Sequence, residues 1–63
     1  MTFDKIVEGI NIIARHTKEE YCMQAAHDQI WVGSCDLPLT ESEKGRMLEM
    51  GWFIAEDAWS CFV

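Results

Sequence analysis

The segment from Thr40 to Val63 constrains the fold more than any other part of the chain. Thr40 and Glu43 have the spacing of a capping box, in which each side chain accepts a hydrogen bond from the other residue's backbone amide at a helix start. Gly51 lies where the end of that helix requires a left-handed residue. The sequence therefore predicts a helix from about Glu41 to Met50. Its residues predicted to face the core are Met47, Leu48 and Met50.

A β-hairpin is predicted directly after this helix. Side chains alternate between the two faces of a strand, so a turn at Glu56 and Asp57 would pair two short strands. Adjacent acids are well explained as solvated turn residues. In this register one sheet face would carry Trp52, Ile54, Trp59, Cys61 and Val63, with the two tryptophans in the core and paired across the hairpin.

Apolar residues at helical spacing in the N-terminal half of the chain predict another helix, from about residue 3 to 16. Thr2 is placed to cap its amide end, and Asp4 suits the positive end of the helix dipole. Gly9 costs about 1 kcal/mol relative to alanine, so it either marks a close approach to another element or is simply tolerated. The apolar residues at helical spacing are Phe3, Ile6, Val7, Ile10, Ile13 and Ala14.

A first hairpin is predicted to follow this helix. The side chains of Tyr21 to Ala26 alternate in character, and His27 to Gln29 resemble a tight connection. Ile30 to Val32 form a short β-branched and aromatic run that ends at Gly33. The second strand of this hairpin should therefore end near Gly33.

Together these elements predict one compact domain over residues 1–63. The fold class is α+β, with two helices packed on one face of a small antiparallel sheet in the order α-β-β-α-β-β. The 49% hydrophobic content is too high for intrinsic disorder. The opposite sheet face would be partly wet, and it would be a contact surface if several of its aromatic residues were exposed together. The candidates for that face are Trp31, Phe53 and Phe62.

Charge limits the classes of partner. The chain has eleven acidic and five basic residues, a net charge of -6. The basic residues are scattered, which disfavours direct binding to nucleic acid. No apolar run approaches the roughly 18 residues of a membrane span, and three cysteines without a C-x-x-C spacing suggest reduced thiols. We therefore expect a soluble cytoplasmic protein with no membrane partner.

No cofactor, metal or catalytic residue is predicted. Zinc ligands usually come in close pairs, and the available Cys and His residues do not. A nucleophile pairing of Cys35 with His27 and Asp28 lacks any supporting motif. A Cys/His metal-binding protein remains the weakest alternative. Its possible ligands would be His16, Cys22, His27, Cys35 and Cys61.

Acidic residues crowd the second half of the chain: Asp36, Glu41, Glu43, Glu49, Glu56 and Asp57. They are explained either as a solvated face or as a patch that docks on a basic protein surface. In the second interpretation the partner-binding residues are Glu41, Glu43, Glu56 and Asp57 for steering, with Trp31 or Phe53 as aromatic anchors.

The hairpin segment HDQIWVG and the C-terminal segment LEMGWFIAEDAWSCFV resemble small acidic accessory proteins of bacteriophages and mobile elements, including anti-CRISPR inhibitors. The resemblance implies action by binding a host protein complex, and it carries no catalytic residues. The expected function is thus a phage-type inhibitor that occupies a basic surface of a host nucleic-acid-handling complex, such as a CRISPR effector. The alternative from another class is a self-associating structural accessory protein, with a homodimer left open.

Overall fold

The structure is a computed structural model that describes residues 1–18 and 23–63. Two helices and a four-stranded antiparallel sheet follow the predicted order, so the α+β prediction is confirmed. The predicted strand residues Tyr21 and Cys22 lie outside the described residues. The elements are α1 (Phe3–Ala14), β1 (Met23–Ala25), β2 (Gln29–Ser34), α2 (Glu41–Met50), β3 (Phe53–Ala55) and β4 (Ala58–Phe62).

Helix α1 buries a narrower stripe than its sequence predicts. Gly9, Ile12 and Ile13 are buried, whereas Phe3 is 80% exposed. The buried stripe centres on Gly9, because an indole packs there, and Phe3 therefore lies beyond its edge. Thr2 occupies the N-cap position, but its side chain makes no hydrogen bond to a helix amide, so that part of the prediction is wrong. Its hydroxyl bonds to the carboxylate of Asp4 instead and lowers the pKa of that group.

Gly9 marks a close approach between α1 and the residue that follows α2. A Cβ built on Gly9 would lie 2.3 Å from both Cε2 and Nε1 of Trp52. Trp52 is only 1% exposed, and its Nε1 donates a hydrogen bond to the carbonyl oxygen of Lys5 at 3.3 Å. The missing side chain at Gly9 is therefore what lets the indole ring lie against the helix backbone.

Helix α2 has the predicted bounds because both of its ends are specified locally. The amide of Glu43 donates to Thr40 Oγ1 at 3.1 Å, and the amide of Thr40 donates to Glu43 Oε1 at 2.8 Å. Gly51 has φ 106° and so ends the helix in the left-handed region. Met47 and Met50 are buried as predicted. Leu48 is 60% exposed, which corrects the prediction, because it is rotated by about 100° from Met47.

The sheet order is β1-β2-β4-β3. The edge strands are β1 and β3, and the inner strands β2 and β4 pair with each other and so join the two hairpins. In this pairing Ile30 lies opposite Cys61 and Val32 lies opposite Trp59. A bulge lies at Gly33, where φ is 68°. The predicted turn is also present, since Glu56 and Asp57 have φ of 52° and 62°, the left-handed values of a tight hairpin turn.

The helices cover the sheet face that carries Val32, Trp59 and Cys61, and these residues are buried with side chains from both helices. Ile54 lies opposite Trp59 on that face but is half exposed, because β3 is an edge strand. Val63 is also half exposed and lies just beyond the end of β4. The core consists of Ile12, Ile13, Val32, Leu39, Met47, Met50, Trp52, Trp59 and Cys61.

Candidate binding surfaces

The sheet face away from the helices, called here the open face, carries no charged residue among the strand residues that the structure describes. Strand register places Gln24, Trp31, Ser60 and Phe53 in one row across all four strands. The next row pairs Gln29 with Phe62. Trp31 and Phe53, two of the predicted partner-binding residues, are thus brought together on one surface. The described strand residues on the open face are Gln24, Gln29, Trp31, Ser34, Phe53, Ala55, Ala58, Ser60 and Phe62.

Aromatic side chains form a ridge on the open face. The rings of Phe53 and Phe62 have centroids 5.2 Å apart and an interplanar angle of 39°. Phe62 is 54% exposed, while Phe53 and Trp31 are half-buried. Trp31 Nε1 is buried without an acceptor among the described residues, which costs about 1–3 kcal/mol. Packing of its ring must therefore hold Trp31 in place.

Polar groups within the open face bond to one another. Ser60 is fully buried beneath the aromatic residues. Its Oγ donates to the carbonyl oxygen of Ile30 at 2.7 Å and accepts from Gln29 Nε2 at 2.8 Å. Because these bonds lie within the chain, the face offers a partner mainly apolar and aromatic surface.

A second surface lies at one end of the sheet and is called here the acidic end, consisting of Asp36, Glu56 and Asp57. The amide of Cys35 donates to the carbonyl oxygen of Asp57 at 2.9 Å, which joins the loop after β2 to the turn between β3 and β4. Partial burial raises the pKa of the Cys35 thiol, and the carboxylates of Asp36 and Asp57 raise it further. Both carboxylates therefore act on the same small region.

The two predicted acids of α2 differ in their surroundings. Glu41 is exposed in the first turn, with Lys44 Nζ 3.8 Å from its carboxylate. The side chain of Glu43 is only 16% exposed, and it accepts hydrogen bonds from the Thr40 amide and from His16 Nε2, the latter at 2.8 Å. The Thr40 amide contributes most to lowering the pKa of Glu43. Glu43 therefore joins the helices and is poorly placed to contact a partner.

Ion pairs between the helices were not evident from the sequence. Arg46 contacts both carboxylate oxygens of Glu8, at 2.6 and 3.0 Å, and it also lies 3.3 Å from Glu49. Arg15 lies 3.5 Å from Glu43. Arg46 lowers the pKa of Glu8. Glu8 and Arg46, like Arg15 and Glu43, are distant in sequence, so only the packing of the helices brings these two pairs together.

The structure keeps Cys35 and His27, the thiol and imidazole considered above as a nucleophile pair, apart. His27 precedes β2 and Cys35 follows it, so a six-residue strand of about 20 Å separates them. Cys61 lies in the core, where burial raises the pKa of its thiol. Among residues 1–18 and 23–63, no three His, Cys, Asp or Glu side chains are grouped to hold a metal ion. Cys22, the remaining candidate ligand, lies outside the described residues.

Neither helix of the described chain is long and apolar enough to cross a membrane. No protein-family model, curated protein or solved structure matches the chain. The assignment of a function therefore depends on the two surfaces described above.

Proposed function

We propose that this chain is a protein-binding module whose acidic end docks on a basic surface of another protein. The observation that carries this proposal is the distribution of paired charges. In the described parts of the chain, Arg15, Lys44 and Arg46 all form ion pairs with glutamates of the helices, whereas Asp36, Glu56 and Asp57 form none. The negative charge at the acidic end is therefore available to a partner.

An arginine- or lysine-rich protein surface is the complementary partner. Proteins that hold nucleic acid carry surfaces of this kind, because the phosphates require several cationic contacts. A small acidic protein that occupies one excludes DNA or RNA by charge and by volume. Complementary charge also accelerates the encounter. The binding needs neither a cofactor nor a catalytic group.

The specific form of the proposal is a phage-type inhibitor of a host nucleic-acid-handling complex, such as a CRISPR effector, acting in the host cytoplasm. The resemblance of HDQIWVG and LEMGWFIAEDAWSCFV to phage accessory proteins supports this form. Glu56 and Asp57 would steer the encounter, with Glu41 as an exposed acid nearby in the chain. Trp31 and Phe53 lie on the open face, so an aromatic anchor would belong to a separate contact.

The test is affinity capture from a bacterial lysate, followed by mass spectrometry, at low and moderate salt. The variant Glu56→Gln/Asp57→Asn removes two charges from the acidic end, and Asn tolerates the left-handed backbone at position 57. The control Asp28→Asn/Glu49→Gln removes two charges elsewhere. We expect a basic complex to be captured by the wild type and the control, with association slowed about 3- to 10-fold for the acidic-end variant. Equal capture and equal kinetics for both variants would contradict the proposal.

A self-associating accessory protein is the second candidate. The described strand residues of the open face are uncharged, which favours this candidate, because like-charged chains can pack these residues together without bringing carboxylates into contact.

A further inference from the structure

We propose that two copies of this chain pair through their open faces as a symmetric dimer. The inference goes beyond docking by the acidic end and does not depend on it. Charged residues make up 25% of the chain, yet none of those in residues 1–18 and 23–63 lies on the open face. A two-fold axis through this face would bring the same residues of both copies together.

The open face has the character of the centre of an interface. Phe62 exposes 54% of its surface and packs against Phe53, and Trp31 lies across Ser60 from Phe53. Aromatic residues are enriched in interface centres, where charged residues are depleted. The hydroxyl of Ser60 and Nε2 of Gln29 already bond within the chain, so covering these two groups would not leave them unsatisfied.

The distribution of charge favours a second copy of this chain as the partner of the open face. A basic partner would gain no ion pair from the described strand residues of this face, because none of them carries a carboxylate. Two chains of net charge -6 repel each other, and contact through the helices or the acidic end would bring carboxylates together. Sheet-to-sheet packing places the sheets about 10 Å apart and the two helical layers about 30 Å apart, well beyond the screening length of about 8 Å at physiological salt. Pairing through the open face therefore keeps the acids of the two helical layers apart.

The available area indicates a weak dimer. The molecule measures 28 × 24 × 19 Å, and a two-layer fold has its short dimension across the layers. The footprint of the open face is then on the order of 500 Å² per copy, or about 1,000 Å² in total, close to the lower limit for a specific interface. We expect a dissociation constant on the order of micromolar, so the dimer forms and dissociates with concentration.

The test is sedimentation equilibrium of the full chain from about 1 μM to about 1 mM, a range that brackets weak dimers. The wild type should change from 7.3 kDa to twice that mass. Phe62→Glu places a charge on the most exposed aromatic residue of the face and should weaken association at least 10-fold. Phe3→Glu is the matched control, because Phe3 is 80% exposed on α1, and it should dimerise like the wild type. Circular dichroism checks that both variants fold.

A second pair of variants covers the case in which Phe62→Glu fails to fold. Gln24→Lys adds a charge at an exposed position of the open face, and Asn11→Lys adds the same charge on α1. Only Gln24→Lys should weaken the dimer. A wild type that stays monomeric up to 1 mM, or control variants that weaken association equally, would overturn the proposal.

Salt separates this inference from the proposed function. Screening reduces the repulsion between two acidic chains, so added salt should leave the dimer unchanged or tighten it. Docking of the acidic end on a basic partner should weaken under the same conditions. A dimer that dissociates in salt would show that charged contacts hold it together, which contradicts pairing through the open face.

Discussion

Substitution of Gly9 by alanine tests the packing of α1 against Trp52. Alanine is about 1 kcal/mol more favourable than glycine inside a helix, so propensity alone predicts stabilisation. The added Cβ would lie 2.3 Å from two indole atoms, Cε2 and Nε1, and 2.5 Å from Cζ2. Ordinary carbon contacts begin near 3.5 Å, so the ring would have to retreat by more than about 1 Å. Trp52 cannot do this freely, because it is buried and hydrogen-bonded to Lys5.

Overpacking of a core typically costs about 1–3 kcal/mol, and the overlap with three ring atoms argues for the upper end. After the gain in helix propensity, the net loss for Gly9→Ala should be about 2 kcal/mol. For a domain of this size the melting temperature would fall by on the order of 10 °C. Urea denaturation followed by tryptophan fluorescence gives the free energy of unfolding, and calorimetry gives the melting temperature.

Gly45 provides a matched control in α2, because nothing lies within 4 Å of a Cβ built there. Gly45→Ala should therefore raise the free energy of unfolding by about 0.5–1 kcal/mol. Trp52→Phe introduced into Gly9→Ala should relieve part of the overlap, so the two losses together should be smaller than their sum by about 1 kcal/mol. If Gly9→Ala stabilised the protein as Gly45→Ala does, the proposed contact with Trp52 would be refuted.

Two further predictions concern the start of α2. Thr40→Ala removes one hydrogen bond of the capping box and should lower the free energy of unfolding, measured by urea denaturation, by about 1 kcal/mol. Ser42→Ala removes a hydroxyl outside the box and should have less effect. Equal losses for the two variants would argue against the cap. The pKa of Glu43 is lowered in the folded state by the Thr40 amide and by His16, so the ionised carboxylate stabilises the folded protein. This contribution to the free energy of unfolding is complete above the unfolded pKa of about 4.3 and is lost as pH falls through the folded pKa. The melting temperature of Glu43→Gln should therefore be lower than that of the wild type at pH 7, and the difference should disappear below about pH 4. A constant difference in melting temperature at all pH values would contradict the role assigned to that carboxylate.

Local signals in the sequence predicted the elements that depend on neighbouring residues. The capping box of Thr40 and Glu43 and the left-handed Gly51 specify both ends of α2 within a few residues. The turn at Glu56 and Asp57 follows from the alternation of its flanking strands. The predicted order of helices and strands is correct for the same reason, since each element has its own periodicity and its own stop signal.

Features that depend on tertiary packing were not predictable in the same way. The exposure of Phe3 follows from the place where Trp52 meets α1, and periodicity cannot locate that contact. Glu43 has the composition of a surface acid, but the antiparallel packing of the helices brings His16 to it. The pairing of β2 with β4 also joins strands that are distant in the chain.

The candidate surfaces were predicted in part. Alternation placed Trp31, Phe53 and Phe62 together on the wet side of the sheet, as observed. The acidic end could be separated from the other acids only in part, because the i,i+3 spacing of Glu41 with Lys44 and of Glu49 with Arg46 is visible in the sequence, whereas the pairing of Glu8 with Arg46 is not. The ion pairs thus show which acidic residues have a cationic partner, and the number of charges does not.

The most direct test of the central claim is an NMR titration of the labelled chain with an arginine-rich peptide. The peptide presents a basic surface without requiring the identity of the host partner. Docking at the acidic end predicts amide shifts concentrated at residues 34–36 and 55–58, and these shifts should diminish as salt is added. Shifts centred on the helices, or spread evenly over the described surface, would contradict the account.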